Sequence, residues 1–492
     1  MIIIFASSEI RPYATTGGLG EVSYSLPRAL HELGLRVIRI MPMYRSCAEG
    51  SHPVRDTGLR MKIPVGFQVY PAEVWVDDSS KPITYFIRRD EYFDRRGIYG
   101  LPERDYDDNF ERYVFFQKAV VALIDELRLT PDILHCNDWA TALIPLYLSF
   151  GLQGMGRDKG SIRSVFSVHN LAYQGSFSAA EFAATNLPFS CFSIQLMEFY
   201  GHINCLKAGL MSADGVTTVS QGYAQEILTP EFGSGLDGVL RSLGDRFQGI
   251  TNGADYSIWD PAHDPLIART YSADDLTGKR ECKQTLFTRL GFQYKPEQRM
   301  LIGMVSRLVD QKGLDLLVEV MPNLMQLPIC FAILGSGEPK YHNACSDWMA
   351  RWPGQFHATH GFNETLAHQI QSGSDVFLMP SKFEPCGLGQ LYAKRYGTVP
   401  IVHPTGGLKD TVKELDTAKD TGSGFLFSSY EASELLRAVQ DAVELYNTKR
   451  DVWQKILSRI MQEDHSWMKS AKQYSDLYKK VTAEPPRSLE IR

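Results

Sequence analysis

Several features that define other classes of protein are missing from these 492 residues. The eight cysteines stand singly, without Cys-x-x-Cys pairs or metal-ligand spacing with histidine, which is typical of reduced thiols. No apolar run is long enough to cross a membrane. A net charge of −6 gives no basic excess for nucleic acid or an anionic membrane. With no solenoid repeat or low-complexity segment, what remains is a globular chain long enough for two or three domains.

The N-terminal stretch from Met1 to Glu9 is apolar, but it is short for a signal peptide and lacks a basic start. We therefore interpret it as a first buried strand and expect a cytoplasmic enzyme. Hydrophobic residues make up 44% of the chain and charged residues 22%, as in ordinary globular proteins. A neutral polysaccharide partner would require no complementary charge.

Short apolar runs alternate with segments in which apolar residues have helical spacing, and this alternation predicts βαβ units. Ile2 to Ala6 is the first strand, a glycine-rich turn from Gly17 to Gly20 opens a helix, and Val37 to Met41 is the second strand. A new series of strands begins at Met300. We expect an N-terminal domain at residues 1–255 and a second domain at 256–465. Residues 466–492 would form a helix that crosses back to the first domain, followed by a frayed tail from Thr482.

One stretch, Asp375 to Val412, is the strongest candidate for a functional site. A buried strand ends at Pro380, a loop carrying Glu384 opens a helix, and another strand leads to a second helix that begins at Thr405-Gly-Gly. Ligands bind at the carboxyl ends of strands in open parallel sheets, and helix N-termini suit phosphate or hydroxyl groups. The alternative is a surface acidic residue on an ordinary loop.

The tetrapeptide from Thr16 to Leu19 recurs from Thr405 to Leu408, each time between a strand and a helix. Matching turns in two αβ halves would suit a ligand held by both, although tight turns need glycine whatever they bind. Asp138 stands at another strand–helix junction, where a helix N-cap is the alternative interpretation. His169 ends a strand, and a structural buried histidine is equally consistent with that position.

Motifs in one order along nearly the whole chain resemble bacterial glycogen synthases and plant starch synthases. They are Gly17-Gly-Leu-Gly-Glu-Val22, Asn137-Asp-Trp139, Val168-His-Asn-Leu-Ala-Tyr-Gln-Gly175, Lys207-Ala-Gly-Leu210, Asn252-Gly-Ala-Asp255, Ser306-Arg-Leu308, Gln311-Lys-Gly313 and Glu384-Pro-Cys-Gly-Leu388.

The resemblance implies an α/β fold of two facing Rossmann-like domains, the GT-B glycosyltransferase architecture, with the active site in the cleft between them. It also implies transfer of glucose, usually from ADP-glucose, to the non-reducing 4-hydroxyl of an α-1,4-glucan such as glycogen or a maltooligosaccharide. The α configuration would be retained. No cofactor other than the donor substrate is implied.

The resemblance further assigns roles to individual residues. The implied catalytic residues are Glu384, Asp138 and His169. The implied donor-binding residues are Thr15, Gly17, Gly18, Arg307, Lys312, Cys386, Gly387, Leu388, Thr405, Gly406 and Gly407. The residues implied to line the sugar and acceptor side are Tyr99, Asn170, Asn252, Glu9 and Glu21.

The chain departs from the family pattern at four of its positions. Most members carry lysine at the position of Thr15, and some carry aspartate, tyrosine and threonine at the positions of Glu21, Phe362 and Gly389. Loss of the lysine charge leaves donor affinity and the choice between ADP-glucose and UDP-glucose open.

Two alternatives therefore stand beside a glucan synthase. One is a related retaining glycosyltransferase that uses UDP-glucose or another acceptor. The other is a catalytically weakened glucan-binding homologue, against which the retained Glu384, Arg307 and Lys312 argue. The sequence leaves open the oligomeric state, the preferred glucan length, allosteric control and whether Glu384 is ever a covalent nucleophile.

The sequence predicts catalysis without a metal ion. No clustered aspartate pair suits Mg²⁺, and Arg307, Lys312 and helix N-termini can stabilise the charge of a departing diphosphate instead. Glucosyl transfer should therefore persist in EDTA. An activity that EDTA abolishes and that added Mg²⁺ or Mn²⁺ restores would contradict this prediction.

Overall fold

A computed structural model describes residues 1–101, 104–151 and 162–485. The chain divides into two compact units. Unit 1 contains Met1–Asn252 and the segment from Trp467 onwards, and unit 2 contains Gly253–Ser466. Of the predicted frayed tail, residues 486–492 lie outside the described residues.

Fourteen strands in unit 1 and six in unit 2 are described. Those of unit 1 are β1 (Ile2–Ala6), β2 (Arg36–Pro42), β3 (Arg55–Val65), β4 (Gln68–Asp77), β5 (Ile83–Arg88), β6 (Gly100–Leu101), β7 (Arg104–Asp105), β8 (Ile133–Asn137), β9 (Arg163–Val168), β10 (Ser176–Ser178), β11 (Glu198–Phe199), β12 (His202–Asn204), β13 (Gly215–Thr218) and β14 (Phe247–Gly249). Those of unit 2 are β15 (Met300–Val305), β16 (Ile329–Gly335), β17 (Phe356–His360), β18 (Val376–Met379), β19 (Val399–Val402) and β20 (Phe425–Leu426).

The α-helices alternate with these strands. They are α1 (Gly18–Glu32), α2 (Arg45–Glu49), α3 (Asp90–Phe93), α4 (Asn109–Glu126), α5 (Ile144–Phe150), α6 (Cys205–Ser212), α7 (Gln221–Glu226), α8 (Asp237–Ser242), α9 (Thr277–Leu290), α10 (Leu314–Leu324), α11 (Pro339–Arg351), α12 (Glu364–Gly373), α13 (Gly389–Arg395), α14 (Gly406–Thr411), α15 (Ala432–Thr448), α16 (Arg450–Met461) and α17 (Trp467–Ala483). Short 3-10 turns include Trp139–Thr141 and Asp310–Lys312.

Unit 1 is built on a nine-stranded sheet in the order β14-β13-β9-β8-β1-β2-β5-β4-β3. The strands from β14 to β5 run parallel, and β4 and β3 continue the sheet as an antiparallel hairpin. The strand order reverses at β1, which lies between β2 and β8. In doubly wound sheets, ligands bind beside the carboxyl ends of the strands at such a point.

Unit 2 is built on a six-stranded parallel sheet in the order β17-β16-β15-β18-β19-β20. Helices cover both faces: Leu317 and Val439 belong to the core on one face, and Phe287 and Ile370 to the core on the other. Burial on both faces explains why these strands are continuous apolar runs rather than alternating patterns. The strand order reverses between β15 and β18.

Residues 176–204 contain a small antiparallel sheet in the order β10-β12-β11. Its strands are two or three residues long, too short to show an alternating pattern in the sequence. All eight cysteines are buried free thiols. Among the described helices, none combines the length and the apolar character that a membrane span requires.

The helix α17 belongs to unit 1 through a buried polar chain as well as through apolar packing. Its Tyr478 hydroxyl lies 2.7 Å from Nδ1 of His135, whose Nε2 lies 2.7 Å from the Ser167 hydroxyl. Burial lowers the pKa of His135 to about 3, so this histidine is neutral at physiological pH. Around these hydrogen bonds, Leu477 and Val481 of α17 pack into the same hydrophobic core as Leu26 of α1.

We expect Tyr478→Phe to destabilise unit 1 because it leaves a buried histidine nitrogen without its partner. An unsatisfied buried polar group costs about 1–3 kcal/mol, which urea unfolding can measure. Lys472→Ala, on the exposed side of the same helix, is the matched control. Equal stability of Tyr478→Phe and the wild-type protein would show that the polar chain does not anchor α17.

Candidate functional site

In unit 2, Arg307, Lys312 and Glu384 follow β15 and β18, the two strands at which the order reverses. Arg307 lies two residues beyond β15, and Glu384 lies in the loop between β18 and α13. The carboxyl ends of neighbouring parallel strands share one edge of the sheet. The topology therefore brings residues 77 positions apart to the edge where ligands bind in this class of fold.

Glu384 is the centre of this group, and its side chain is only 6% exposed. Its carboxylate forms a close ion pair with the ammonium group of Lys312 and accepts a hydrogen bond from the Ser381 hydroxyl at 3.1 Å. A buried carboxylate requires such partners, because an unpaired buried charge is costly. The ion pair joins the loop after β15 to the loop after β18.

Gly313 allows this approach. It has a φ of 78°, and an added Cβ would lie 2.0 Å from the carbonyl oxygen of Pro380. Only glycine therefore lets the turn that carries Lys312 pack directly on the loop after β18. The sequence motif Gln311-Lys-Gly313 thus has a packing reason in addition to its charge.

Arg307 lies at the exposed side of the same group of residues. Its exposed guanidinium donates to Oε1 of Gln311 at 2.9 Å, and the Gln311 carbonyl accepts the amide of Lys382 at 2.9 Å. The contact holds the arginine at the rim of the same strand ends, and five N–H donors make guanidinium well suited to phosphate.

Gly406 and Gly407, at the start of α14, pack against the loop that carries Glu384, and Gly407 bonds to this loop through its amide. Its N–H donates to the Glu384 carbonyl at 3.2 Å. Added Cβ atoms would lie 2.0 Å from the Glu384 oxygen for Gly406 and 2.3 Å from the Cys386 oxygen for Gly407. The two glycines therefore serve close packing of the loop, and the role of Gly407 in donor binding stays a prediction.

The rest of the loop is held from within. Gly387 has a φ of 71°, and Leu388 is the residue before α13. The Gln390 side-chain nitrogen lies 3.0 Å from the carbonyl oxygens of Cys386 and Gly387. Cys386 is buried, as is Thr405 at the start of α14. These contacts position the backbone rather than present side chains to solvent.

In unit 1, the predicted residues also gather at carboxyl ends of strands. Glu9 follows β1, Asp138 follows β8, His169 follows β9 and Asn252 follows β14. Since β1, β8 and β9 are neighbours, the first three lie at one edge, beside the point where the strand order reverses.

Glu9 is 3% exposed and is surrounded by donors. It accepts from the Thr16 amide at 2.5 Å, the Thr16 hydroxyl at 2.9 Å and the Tyr99 hydroxyl at 2.8 Å. Tyr99 also bonds Ser8 at 2.7 Å. Burial raises the pKa of Glu9, and these hydrogen bonds partly oppose the rise. Glu9 and Tyr99 thus fix the Gly-rich turn.

Asp138 does not act as a helix cap. It has a φ of 56° and precedes the turn Trp139–Thr141, but its carboxylate accepts the amide of His169 at 2.7 Å. The capping interpretation fails because the partner lies on the next strand, 31 residues away. Burial raises the pKa of Asp138 to about 7, against hydrogen bonds from the amides of His169 and Asn170.

His169 is neutral and its tautomer follows from its neighbours. Burial lowers the pKa of His169 to about 3. The Asn137 amide nitrogen donates to the Ala6 carbonyl at 2.9 Å, so its oxygen faces Nε2 of His169 at 2.9 Å as an acceptor. Nε2 therefore carries the proton, and Nδ1 is left as an acceptor.

Two asparagines complete this edge. Asn170 accepts the Ala172 amide at 3.1 Å, a local turn that shapes the start of the loop. Asn252 is 7% exposed, and its side-chain oxygen is buried without a hydrogen-bond partner among the described residues. A buried acceptor without a partner is uncommon and marks a place where a ligand hydroxyl or water can bind.

Thr15, Gly17 and Gly18 form an exposed turn at the start of α1. The Thr15 hydroxyl donates to the Gly17 carbonyl at 3.1 Å. A Cβ on Gly20 would lie 2.3 Å from the Thr15 oxygen, so glycine at this position makes room for the threonine side chain. Glu21 pairs with Arg11 at 3.2 Å.

The structure adds several site residues that sequence reasoning missed. They are Ser8, Thr16, Asn137, Gln311 and Ser381. Each holds a predicted residue by a hydrogen bond. Thr16, Asn137 and Gln311 lie inside the quoted motifs or next to them, and this position is the signal that could have identified them.

Comparison with known proteins agrees with this geometry. The family model of the starch synthase catalytic domain matches residues 2–242, and that of the glycosyl transferases group 1 matches residues 291–456. The catalytic domain of starch synthase IV from Arabidopsis thaliana, solved with ADP and acarbose, has a TM-score of 0.91 and 32% identity over 98% of this chain and 99% of that one. The fold is that of a glycosyltransferase with two Rossmann-like domains.

Relatives in sequence define the family. A glycogen synthase of Anaeromyxobacter dehalogenans is 42% identical over 485 residues, covering 97% of this chain and 99% of that protein. Glycogen synthase 2 of Geobacter sulfurreducens is 40% identical over 481 residues, covering 97% and 98%. The chain belongs to the glycogen synthase and starch synthase family and is a hexosyltransferase.

The raised pKa of Asp138 predicts that Asp138→Asn increases the stability of the folded protein, and that the increase depends on pH. The unfolded carboxyl ionises near 3.8 and the folded one near 7, so folding is disfavoured increasingly as pH rises through that window. Asparagine can still accept the His169 amide but carries no charge. The variant should therefore unfold at higher urea than wild type at about pH 8 and at nearly equal urea at about pH 4.

Asp107→Asn, at an exposed aspartate of unit 1, serves as the control. Equal gains at both pH values would mean that Asp138 is not held in the protonated form by its surroundings.

Proposed function

We propose that this protein transfers glucose from ADP-glucose to the non-reducing 4-hydroxyl of an α-1,4-glucan, with retention of the α configuration. The observation that carries the proposal is the buried Glu384 paired with Lys312 where the strand order of unit 2 reverses. A sugar nucleotide brings a diphosphate and a glucosyl group, and this pair supplies one charge suited to each. Family membership supports the glucan as acceptor.

Lys312 and Arg307 are proposed to bind the diphosphate. Lysine supplies a compact charge and arginine a planar fork of donors, and both are strong partners of phosphate oxygens. As the bond to the anomeric carbon breaks, negative charge grows on the leaving diphosphate, and fixed cations stabilise it more than they stabilise the bound substrate.

Glu384 is proposed to stabilise the sugar. The anomeric carbon gains positive charge as the diphosphate leaves, and a carboxylate in a buried position interacts strongly with a developing cation. When the diphosphate attracts Lys312, the carboxylate loses part of its neutralising partner at the stage when the sugar becomes cationic. The Ser381 hydroxyl keeps the carboxylate oriented through this change.

In unit 1, Asp138, His169 and Asn252 are proposed to bind sugar hydroxyls on the acceptor side. Asn252 offers a buried carbonyl oxygen, His169 an unprotonated Nδ1 and Asp138 a carboxyl group that ionises near neutrality. Together they provide acceptors for the hydroxyl protons of a neutral carbohydrate, with no need for a charged substrate.

Metal-independent transfer and the absence of a cofactor remain part of the proposal. The cations that the reaction requires are present as side chains, since Lys312 and Arg307 lie at the same strand ends. ADP-glucose is the proposed donor because the starch synthase IV structure was solved with ADP. The threonine at position 15 makes UDP-glucose the alternative donor to test.

Incorporation of labelled glucose into glycogen, measured with ADP-glucose and UDP-glucose side by side, tests the proposed function. We expect incorporation from ADP-glucose into product that α-1,4-specific amylases degrade. Faster transfer from UDP-glucose would correct the donor. No transfer from either nucleotide would reject the glucan synthase and leave the glucan-binding homologue.

Glu384→Gln should separate catalysis from donor binding. Turnover should fall about a hundredfold or more, since a single electrostatic group aimed at the transition state is worth that much elsewhere. ADP should bind about twofold to fivefold more tightly, because Lys312 no longer has an internal carboxylate partner. Initial rates and calorimetry measure the two effects, with Glu444→Gln on the exposed face of α15 as the control. Near-wild-type turnover would move the catalytic role to another residue.

A further inference from the structure

The segment from Asn170 to Asn204 differs in composition from the rest of the chain. Seven of its 35 residues are aromatic, against 11% in the whole chain, and two are charged, against 22%. It contains neither lysine nor arginine. Three of the six exposed aromatic side chains in the described part of the protein belong to it: Tyr173, Phe189 and Tyr200.

Tyr200 has the most unusual conformation of these three. It lies with Gly201 in the two-residue loop that joins β11 to β12, where Phe199 pairs with His202. Both loop residues have positive φ, 52° for Tyr200 and 79° for Gly201. Asn-Gly is the preferred sequence for such a loop, and a bulky residue there is strained. The ring is nevertheless 85% exposed to solvent.

The hairpin is supported by hydrogen bonds from a buried lysine. Lys207 of α6 is 4% exposed, and its ammonium donates to the carbonyls of Ile194 and Glu198, each at 2.6 Å. The Glu198 carboxylate accepts the Gly201 amide at 2.7 Å. The rings of Phe199 and Tyr200 meet edge to face at 4.6 Å. The buried Lys207 thus supports a strained loop that exposes the ring of Tyr200.

The braced hairpin is connected to the strand end that carries His169. The loop after His169 runs to Gly175, whose carbonyl accepts the Cys205 amide at 3.0 Å. In the same loop, the Gln174 side-chain oxygen accepts from the Asn204 side chain at 2.6 Å. These bonds tie the end of β12, beside the start of β10, to the loop that leaves the proposed acceptor edge of unit 1.

We propose that the Tyr200 hairpin is an outer subsite for the α-glucan acceptor, in which the tyrosine ring stacks on a glucosyl unit distant from the reacting end. The proposal rests on the proposed function for the identity of the glucan. Backbone strain held by surrounding structure concentrates at ligand-binding positions. An aromatic face packs on the C–H groups of a pyranose ring while its hydroxyl reaches water or sugar oxygens.

The composition of the segment favours a neutral sugar chain over other partners. Nucleic acids and anionic membranes require lysine and arginine, which this segment lacks. The exposed rings of Tyr173, Phe189 and Tyr200 are separate along the chain. Glucans present repeated apolar faces between hydroxyl groups, which suits spaced rings.

The test uses a substitution whose effects on stability and binding go in opposite directions. Tyr200→Asn places a residue that tolerates positive φ in the loop, so the Tm should rise by about 2 °C. The KM for glycogen should rise about fivefold, the value of one aromatic contact, while the KM for maltotriose and for the donor stays unchanged. Tyr200→Phe keeps the ring and should keep the low KM.

Direct binding separates this proposal from the proposed function. Maltoheptaose should quench tyrosine fluorescence and protect the hairpin in wild-type protein, and should do so weakly in Tyr200→Asn, whether or not glucose is transferred. Phe67→Ser is the matched control, since Phe67 of unit 1 is 97% exposed and lies outside the segment.

Three outcomes would overturn the subsite. Maltoheptaose could bind equally to wild type and Tyr200→Asn, the KM for glycogen could stay unchanged, or Tyr200→Asn could dissociate a dimer, which would assign the ring to a contact between copies of the chain. Loss of transfer with intact, Tyr200-dependent binding of maltoheptaose would reject the proposed function alone.

Discussion

The ion pair between Lys312 and Glu384 is the contact on which the rest of the candidate site in unit 2 depends. It joins the loops after β15 and β18, the neighbouring strands at which the sheet order reverses. Without a donor substrate, each charge neutralises the other in a largely buried position. In the proposed reaction, the diphosphate gives the lysine a second anion to bind and leaves the carboxylate for a developing cation. The proposal thus gives one contact a role in both stability and catalysis.

This contact explains the glycines around it. Gly313, Gly406 and Gly407 each stand where a Cβ would lie between 2.0 and 2.3 Å from a backbone oxygen of the neighbouring loop. Larger residues would push the loop that carries Glu384 away from the turn that carries Lys312. The glycine-rich motifs thus reflect close approach of backbones, and the amide of Gly407 donates to the Glu384 carbonyl.

The sequence predicted the parts of the fold that depend on local pattern. Buried apolar runs such as Val376–Met379 identify parallel strands, and their carboxyl ends locate Glu384 and His169. It could not predict partners brought together by the tertiary fold: Asp138 accepts an amide 31 residues away, and Gly407 donates to Glu384. The strands of residues 176–204 are too short for a periodic signal, so the sequence did not predict the hairpin that holds Tyr200 in a strained conformation.

The most direct test of the shared lysine is a double-mutant cycle on ADP affinity. Lys312→Met, Glu384→Gln and the double variant are compared with wild type by calorimetry, so that the coupling between the two positions is isolated from their separate effects. If Lys312 is shared between Glu384 and the diphosphate, Glu384→Gln tightens ADP binding in the wild-type background and has no effect in the Lys312→Met background. An equal effect of Glu384→Gln in both backgrounds would contradict the account.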